Sequence, residues 1–217
     1  MRLRAVAPVV LPAVELERRQ RRYDSLSPER IEIEMASPSE GPDRLDSPDD
    51  ILASADCVYA EVMRTDWSRY GGVLLDCVLD PSLERLEVDA TGPVVGITRL
   101  VSGYLTGLGH RIGGVARNEA IADELQRRLI DFGHRDRVEA LRVLHLSFED
   151  VVRTDTWNDA LDKALVELQP SGVDSVINGC SAVEVRPEAG PVVIDPTALA
   201  LELVGDAVHR GLLAARS

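Results

Sequence analysis

Short apolar runs alternate with longer segments of helical periodicity along almost the whole chain, the pattern of parallel strands joined by helices. The runs predict strands at residues 3–7, 31–35, 73–76, 94–97, 112–116, 139–144, 175–178 and 192–194. Between them the 3.6-residue period predicts helices at 13–22, 48–64, 82–88, 100–108, 119–132, 148–168 and 197–213. Gly133 stands where the fifth helix should stop, and Asp195 and Pro196 supply a cap and a first-turn proline for the last. One stretch reads as a long loop: "ASPSEGPDRLDSPDD", residues 36–50, is rich in Pro, Ser and Asp. Loops of that length in compact domains are often lids or binding loops, and a solvated excursion fits the same composition.

The pattern repeats. "GGVLLDCVLDPSL" around Cys77 and "VDSVINGCSAV" around Cys180 are both apolar runs that stop at a cysteine. Each is followed by a second apolar run opening with Pro-Val-Val, at "GPVVGIT" and at "GPVVIDPT". This predicts an α/β fold of two similar flavodoxin-like lobes with mostly parallel sheets, facing each other across a cleft. The first lobe takes residues 1–95 plus 196–217, and the second takes 96–195. Open α/β sheets bind ligands at the carboxyl ends of their strands, and both cysteines fall there.

Composition narrows the function. The balance of 24 basic against 37 acidic residues, a net charge of −13, would repel a phosphate backbone, and aromatics at 4% offer few stacking platforms. No nucleic-acid partner is expected. No apolar run approaches the length needed to cross a membrane. The N-terminal "MRLRAVAPVVLPAVELERR" is interrupted by Pro8 and Pro12 and regains charge at Glu15, so it reads as a strand leading into a helix rather than a signal peptide. A cytoplasmic enzyme is the expectation, with a small-molecule substrate, no membrane partner and assembly into a homo-oligomer.

Three cysteines without C-x-x-C spacing or a nearby histidine pair support neither a disulfide framework nor a metal site. The four histidines show no ligand spacing, and only His145 falls at a strand end. Glu32 and Glu34 alternate along a strand as a solvated face does. Cys57, inside a helical run, reads as a small core hydrophobe. Taken singly, Cys77 and Cys180 would read the same way, but both stand where a strand hands over to a loop or helix start. Main-chain N–H groups and a helix dipole at such a place favour a thiolate. A thiolate and a thiol, one from each lobe, could flank a substrate carbon, one removing a proton and the other supplying one to the opposite face.

At these residues the chain resembles the aspartate/glutamate/hydantoin racemase family. The resemblance runs through "LLDCVLDPSLERL", "GPVVGIT", "NEAIADELQRRL", "VDSVINGCSAV" and "GPVVIDPTALALELV". The D-P-x-L after Cys77 and the Gly-Pro of "ASPSEGP" are most similar to the hydantoin and allantoin racemases. The C-N-T and G-C-T-H sequences of glutamate racemases are not present. The resemblance implies Cys77 and Cys180 as the acid/base pair, no cofactor, and Gly179 and Ser181 framing the second thiol. Asp80 reads as a cap for the helix after Pro81.

The chain departs from the family in two places. The polar Asn-Pro-Asn-Thr-like loop of the hydantoin branch becomes "APVVLPA", so Pro8 and Val9 would form an apolar wall for substrate. The hydroxyl residues at the start of the second lobe become "GGVARNEA", where Arg117 and Asn118 could bind a carboxylate or amide. There Arg117 also reads as a solvated loop residue and Asn118 as an N-cap. The leading expectation is a cofactor-independent racemase or epimerase acting on an amino acid, hydantoin or related derivative. A decarboxylase or cis–trans isomerase on the same scaffold, and a non-catalytic small-molecule binding protein, are the alternatives.

Overall fold

A computed structural model describes residues 1–139, 141–186 and 191–213. The chain divides into two compact units, Met1–Ile97 with Thr197–Ser217, and Thr98–Pro196.

In the first unit, β1 (Arg2–Val6), β2 (Glu32–Ala36), β3 (Gly72–Leu75) and β4 (Val94–Gly96) form a parallel sheet in the order β2-β1-β3-β4. Helices α1 (Ala13–Leu26), α2 (Pro48–Met63) and α3 (Leu83–Asp89) connect them, and α7 (Pro196–His209) returns to this unit for all but its first residue. The central strands are apolar because both faces of a parallel sheet are covered. Leu3, Ala5, Val6, Val73, Leu74 and Leu75 are all buried.

In the second unit, β5 (Ile112–Ala116), β6 (Arg142–Val143), β7 (Ser175–Asn178) and β8 (Val192–Ile194) repeat the design, parallel and in the order β6-β5-β7-β8. Helices α4 (Ile97–Gly107, all but its first residue), α5 (Glu119–Leu129) and α6 (Thr154–Leu168) belong with it. Its core gathers Val115, Val176, Trp157, Leu161, Leu165 and Leu168.

Several boundaries differ from the sequence pattern. Helix α4 starts at Ile97 rather than residue 100, because "VVGIT" runs from strand into helix without a polar break. The helix expected at 148–168 is two: a 3-10 turn at Phe148–Val152, then α6, separated by Arg153 with non-helical φ −102° and ψ 82°. Of the edge strand expected at 139–144, the ladder keeps Arg142–Val143, and Ala140 lies outside the described residues. Gly190, which opens the second Pro-Val-Val repeat, also lies outside them. Gly133 adopts φ 88°, the left-handed conformation that ends a helix.

Candidate active site

In a sheet ordered 2-1-3-4 the chain leaves the two central strands in opposite directions, and their carboxyl ends flank the crevice where ligands bind. In the first unit these strands are β1 and β3, paired from Leu3↔Gly72 to Val6↔Leu75. Pro8 and Val9 follow β1 and Cys77 follows β3. In the second unit they are β5 and β7, paired from Ile112↔Ser175 to Val115↔Asn178. Arg117 and Asn118 follow β5, and Gly179, Cys180 and Ser181 follow β7. Within each unit, the residues singled out from sequence therefore meet at one sheet end.

The two ends are equivalent residue by residue. Asp76 N–H donates to the Val6 carbonyl at 2.9 Å, and Gly179 N–H donates to the Val115 carbonyl at 2.8 Å. Each extends its ladder by one bond, and the cysteine is the next residue. Pro8 matches Arg117, Val9 matches Asn118, and Asp76 matches Gly179.

At the first end, Cys77 N–H turns back onto the Leu75 carbonyl at 2.8 Å, lifting the chain out of the sheet. Asp80 N–H then donates to the Cys77 carbonyl at 3.1 Å, and Leu79 N–H donates to the Cys77 Sγ at 3.4 Å. The thiol is buried, with 5% of the residue exposed. Asp80 has φ 45° and Ser82 φ 57°, left-handed values that non-glycine residues adopt rarely. The N-cap position of α3 is Ser82, not Asp80 as its sequence suggested. The Asp80 carboxyl instead packs over Gly96, where an added Cβ would come within 2.6 Å of its Oδ2.

The loop after β1 is held from both sides through its main chain. Ser54 Oγ donates to the Pro8 carbonyl, Ser37 Oγ donates to the Val9 carbonyl, and Leu11 N–H donates to Ser37 Oγ at 2.8 Å. Val10 N–H reaches the Pro42 carbonyl at 2.9 Å. The long loop after β2 thus braces the apolar Pro8–Val9 wall. Cys57 is half-buried rather than a core residue, with its Sγ against Gly41 of that loop.

At the second end, Gly179 is required by space, since a Cβ there would lie 2.1 Å from the Val115 carbonyl oxygen. Asn178 Nδ2 donates to the Cys180 carbonyl at 2.9 Å, while the indole N–H of Trp157 donates to Asn178 Oδ1 at 3.0 Å. Cys180 is half-buried and Ser181 is buried. No helix begins in residues 181–186, so the helix start expected directly after this thiol is not found there.

Arg117 is not a solvated loop residue. It is 5% exposed, and its guanidinium lies 5.9 Å from the Phe148 ring centre. The Asn118 Oδ1 accepts from Ile121 N–H at 2.9 Å and caps α5. His145, beyond β6, has a left-handed φ of 52° and stands 3.5 Å from Glu119 with its ring exposed.

Sequence reasoning passed over a buried polar cluster behind Cys77. Arg19 Nη1 donates to Asp76 Oδ2 at 2.9 Å, and the Tyr23 hydroxyl donates to Asp76 Oδ1 at 2.9 Å. Glu15 holds Arg19 from the other side at 3.0 Å. Burial, reinforced by the Asp76 carboxylate, pushes the Tyr23 phenol well above its ordinary range. Burial also raises the Glu15 carboxyl, but the Arg18 and Arg19 guanidiniums outweigh it and the net shift is downward. The available signal was a carboxylate inside the apolar run "GGVLLDC". Arg19 and Tyr23 were hidden in "ERRQRRY", which reads as a solvated helix.

Two matching parallel sheets with a cysteine past the third strand of each define the doubled α/β architecture of a racemase. The family model for Asp/Glu/hydantoin racemase matches residues 16–204, most of the chain. The chain belongs to the Asp/Glu/hydantoin racemase family and is an isomerase of the racemase class.

Solved structures agree on the fold. An allantoin racemase from Klebsiella pneumoniae is similar at TM-score 0.82 and 18% identity, covering 100% of this chain and 90% of that one. An allantoin racemase from Pseudomonas fluorescens is similar at TM-score 0.81 and 18% identity, covering 100% and 94%. A protein from Yersinia pestis described as a possible Asp/Glu racemase gives TM-score 0.64 at 14% identity, covering 96% and 100%. No curated protein sequence matches the chain. No helix among the described residues is long and apolar enough to cross a membrane. Nor does any group of three or more His, Cys, Asp or Glu among them have the arrangement to hold a metal ion.

Proposed function

We propose that this protein inverts the acidic C–H stereocentre of a hydantoin-type cyclic substrate without a cofactor, using Cys77 and Cys180 as the acid/base pair. The observation that carries the reading is their equivalence, each one residue beyond the last ladder bond of its sheet's third strand. A residue type that is usually core filling thus recurs at the ligand-binding end of two separate sheets.

In the proposed reaction one cysteine, as thiolate, takes the proton from the carbon next to a carbonyl. An S–H bond forms and the C–H electron pair moves into the carbonyl as an enolate. The other cysteine, as thiol, gives its proton to the opposite face of that carbon, the carbonyl re-forms, and the centre is inverted. Main-chain N–H groups around Gly179 and the Ser181 hydroxyl serve the enolate oxygen. Pro8 and Val9, buried with their carbonyls engaged by Ser54 and Ser37, offer shape rather than hydrogen bonds. On the second unit, Arg117 and Asn118 take the equivalent place at the end of β5 and are proposed to bind a substrate amide.

The apolar Pro8–Val9 segment, in place of a polar loop, favours an uncharged ring over an α-amino dicarboxylate, and the names of the two allantoin racemases of similar fold agree with a cyclic ureide. The test is racemisation of single enantiomers of 5-substituted hydantoins and of allantoin, followed by circular dichroism. The wild-type protein should invert at least one of them and leave aspartate unchanged, and Cys77→Ser or Cys180→Ser should lower the rate by about a hundredfold or more. Undiminished inversion in either variant would contradict the proposal.

A further inference from the structure

The two halves match in backbone but not in charge. Where the second carries Gly179, with no room for a side chain, the first carries Asp76, which is 1% exposed. Both Asp76 carboxylate oxygens are engaged, by Arg19 and by Tyr23, and these partners are themselves buried. Three residues beyond Cys77 comes a second buried acidic residue, Asp80, whose carboxyl packs over Gly96. Along the chain, acidic residues thus stand one position before and three positions after Cys77, whereas Cys180 stands between Gly179 and Ser181.

We propose that Asp76, fixed by Arg19 and Tyr23, is a positioning residue that keeps Cys77 protonated at rest, so that Cys77 is the resting proton donor and Cys180 the resting base. This rests on the two-cysteine reading above. A negative charge beside an acid opposes its ionisation, and in a poorly solvated setting the effect is large. The same carboxylate acts on Tyr23, whose hydroxyl it helps to hold un-ionised. Arg19 offsets part of the charge, but Glu15 draws on Arg19 from the far side. The Leu79 N–H on the Cys77 Sγ works in the opposite sense. So does the amino end of the short helix α3 beyond it, and in this proposal the buried, fixed Asp76 carboxylate outweighs both.

The arrangement sets which enantiomer the resting form of the enzyme takes. A resting protein with the thiolate on Cys180 accepts the enantiomer that turns its C–H toward Cys180. After turnover the proton has moved from Cys77 to product and from substrate to Cys180. The Asp76 charge then favours return of a solvent proton to Cys77.

The experiment is a pH titration of cysteine 13Cβ resonances by NMR, which reads each thiol without turnover and without reagent access. In the wild-type protein the Cys77 midpoint should lie above that of Cys180. Asp76→Asn should lower the Cys77 midpoint by about one pH unit. Tyr23→Phe loosens the same cluster but keeps the charge, and Arg19→Lys keeps the cation, so neither should lower it. A structural role alone would move Asp76→Asn and Tyr23→Phe together. A Cys77 midpoint below that of Cys180, or one unmoved by Asp76→Asn, would overturn the assignment. If Asp76→Asn fails to fold, the order of the two midpoints in the wild-type protein decides. Undiminished racemisation by Cys77→Ser would instead overturn the two-cysteine reading, and the titration would still stand as measured.

Discussion

Asn178 holds the peptide of Cys180 in place: its Nδ2 donates to the Cys180 carbonyl at 2.9 Å, and its Oδ1 is fixed in turn by the Trp157 indole at 3.0 Å. Trp157 is wholly buried in α6, so the helix packed on the sheet sets the orientation of the turn that carries the thiol. Trp157→Phe keeps most of the packing and removes the N–H. The unsatisfied Asn178 oxygen should cost about 1–3 kcal/mol, read by denaturant unfolding. Turnover should fall more than substrate affinity, because the loss is one of alignment. Unchanged turnover would show that this chain of bonds is only structural.

Thiol reactivity separates the three cysteines. Iodoacetamide at neutral pH should label Cys180 first, since it is half-buried and assigned as the resting thiolate, with Cys57 well behind. An excess of a hydantoin substrate should protect Cys180 and leave Cys57 unaffected. Equal labelling of Cys57 and Cys180, read by peptide mass spectrometry, would remove Cys180 as the resting thiolate.

Two glycines should respond oppositely to alanine. Gly179→Ala drives a methyl group into the Val115 carbonyl, so loss of about 3 kcal/mol or more is expected. Gly103, within α4, has open space around its Cβ position, and Gly103→Ala should stabilise by up to about 1 kcal/mol. Thermal unfolding of the pair checks both, and a mild Gly179→Ala effect would mean the strand end yields more easily than its geometry implies.

Alkali should unfold the protein partly through Tyr23. Its folded pKa is raised, by burial first and by Asp76 next, so in alkali the unfolded chain ionises while the folded one does not. Stability from this group is complete below the unfolded value of about 10 and is lost as pH rises above it. Tyr23→Phe should flatten the fall of stability with pH in that range. An unchanged slope would remove Tyr23 from the account.

The doubled α/β plan was legible because buried parallel strands must be apolar on both faces, and the repeat around Cys77 and Cys180 showed where each sheet ends. The break at Arg153 was not, since a 3-10 turn whose Phe148, Val151 and Val152 lead into α6 carries the same periodicity as one long helix. Arg117 could be read as solvated because sequence cannot show that Phe148 comes round to cover it. The Asp76 cluster was hidden for a related reason. Its members come from a helix and a strand 57 positions apart, and only the fold makes Arg19 a buried partner instead of one more charge on α1.

The central claim is that one thiol removes a proton and the other returns a different one. It is tested most directly by running the reaction in D2O from a single enantiomer of a hydantoin substrate and stopping it early. The account predicts that inverted product carries deuterium at the stereocentre while the remaining substrate keeps its original hydrogen. Product that retains the original hydrogen, or substrate that exchanges as fast as product forms, would contradict a two-cysteine mechanism with opposed faces.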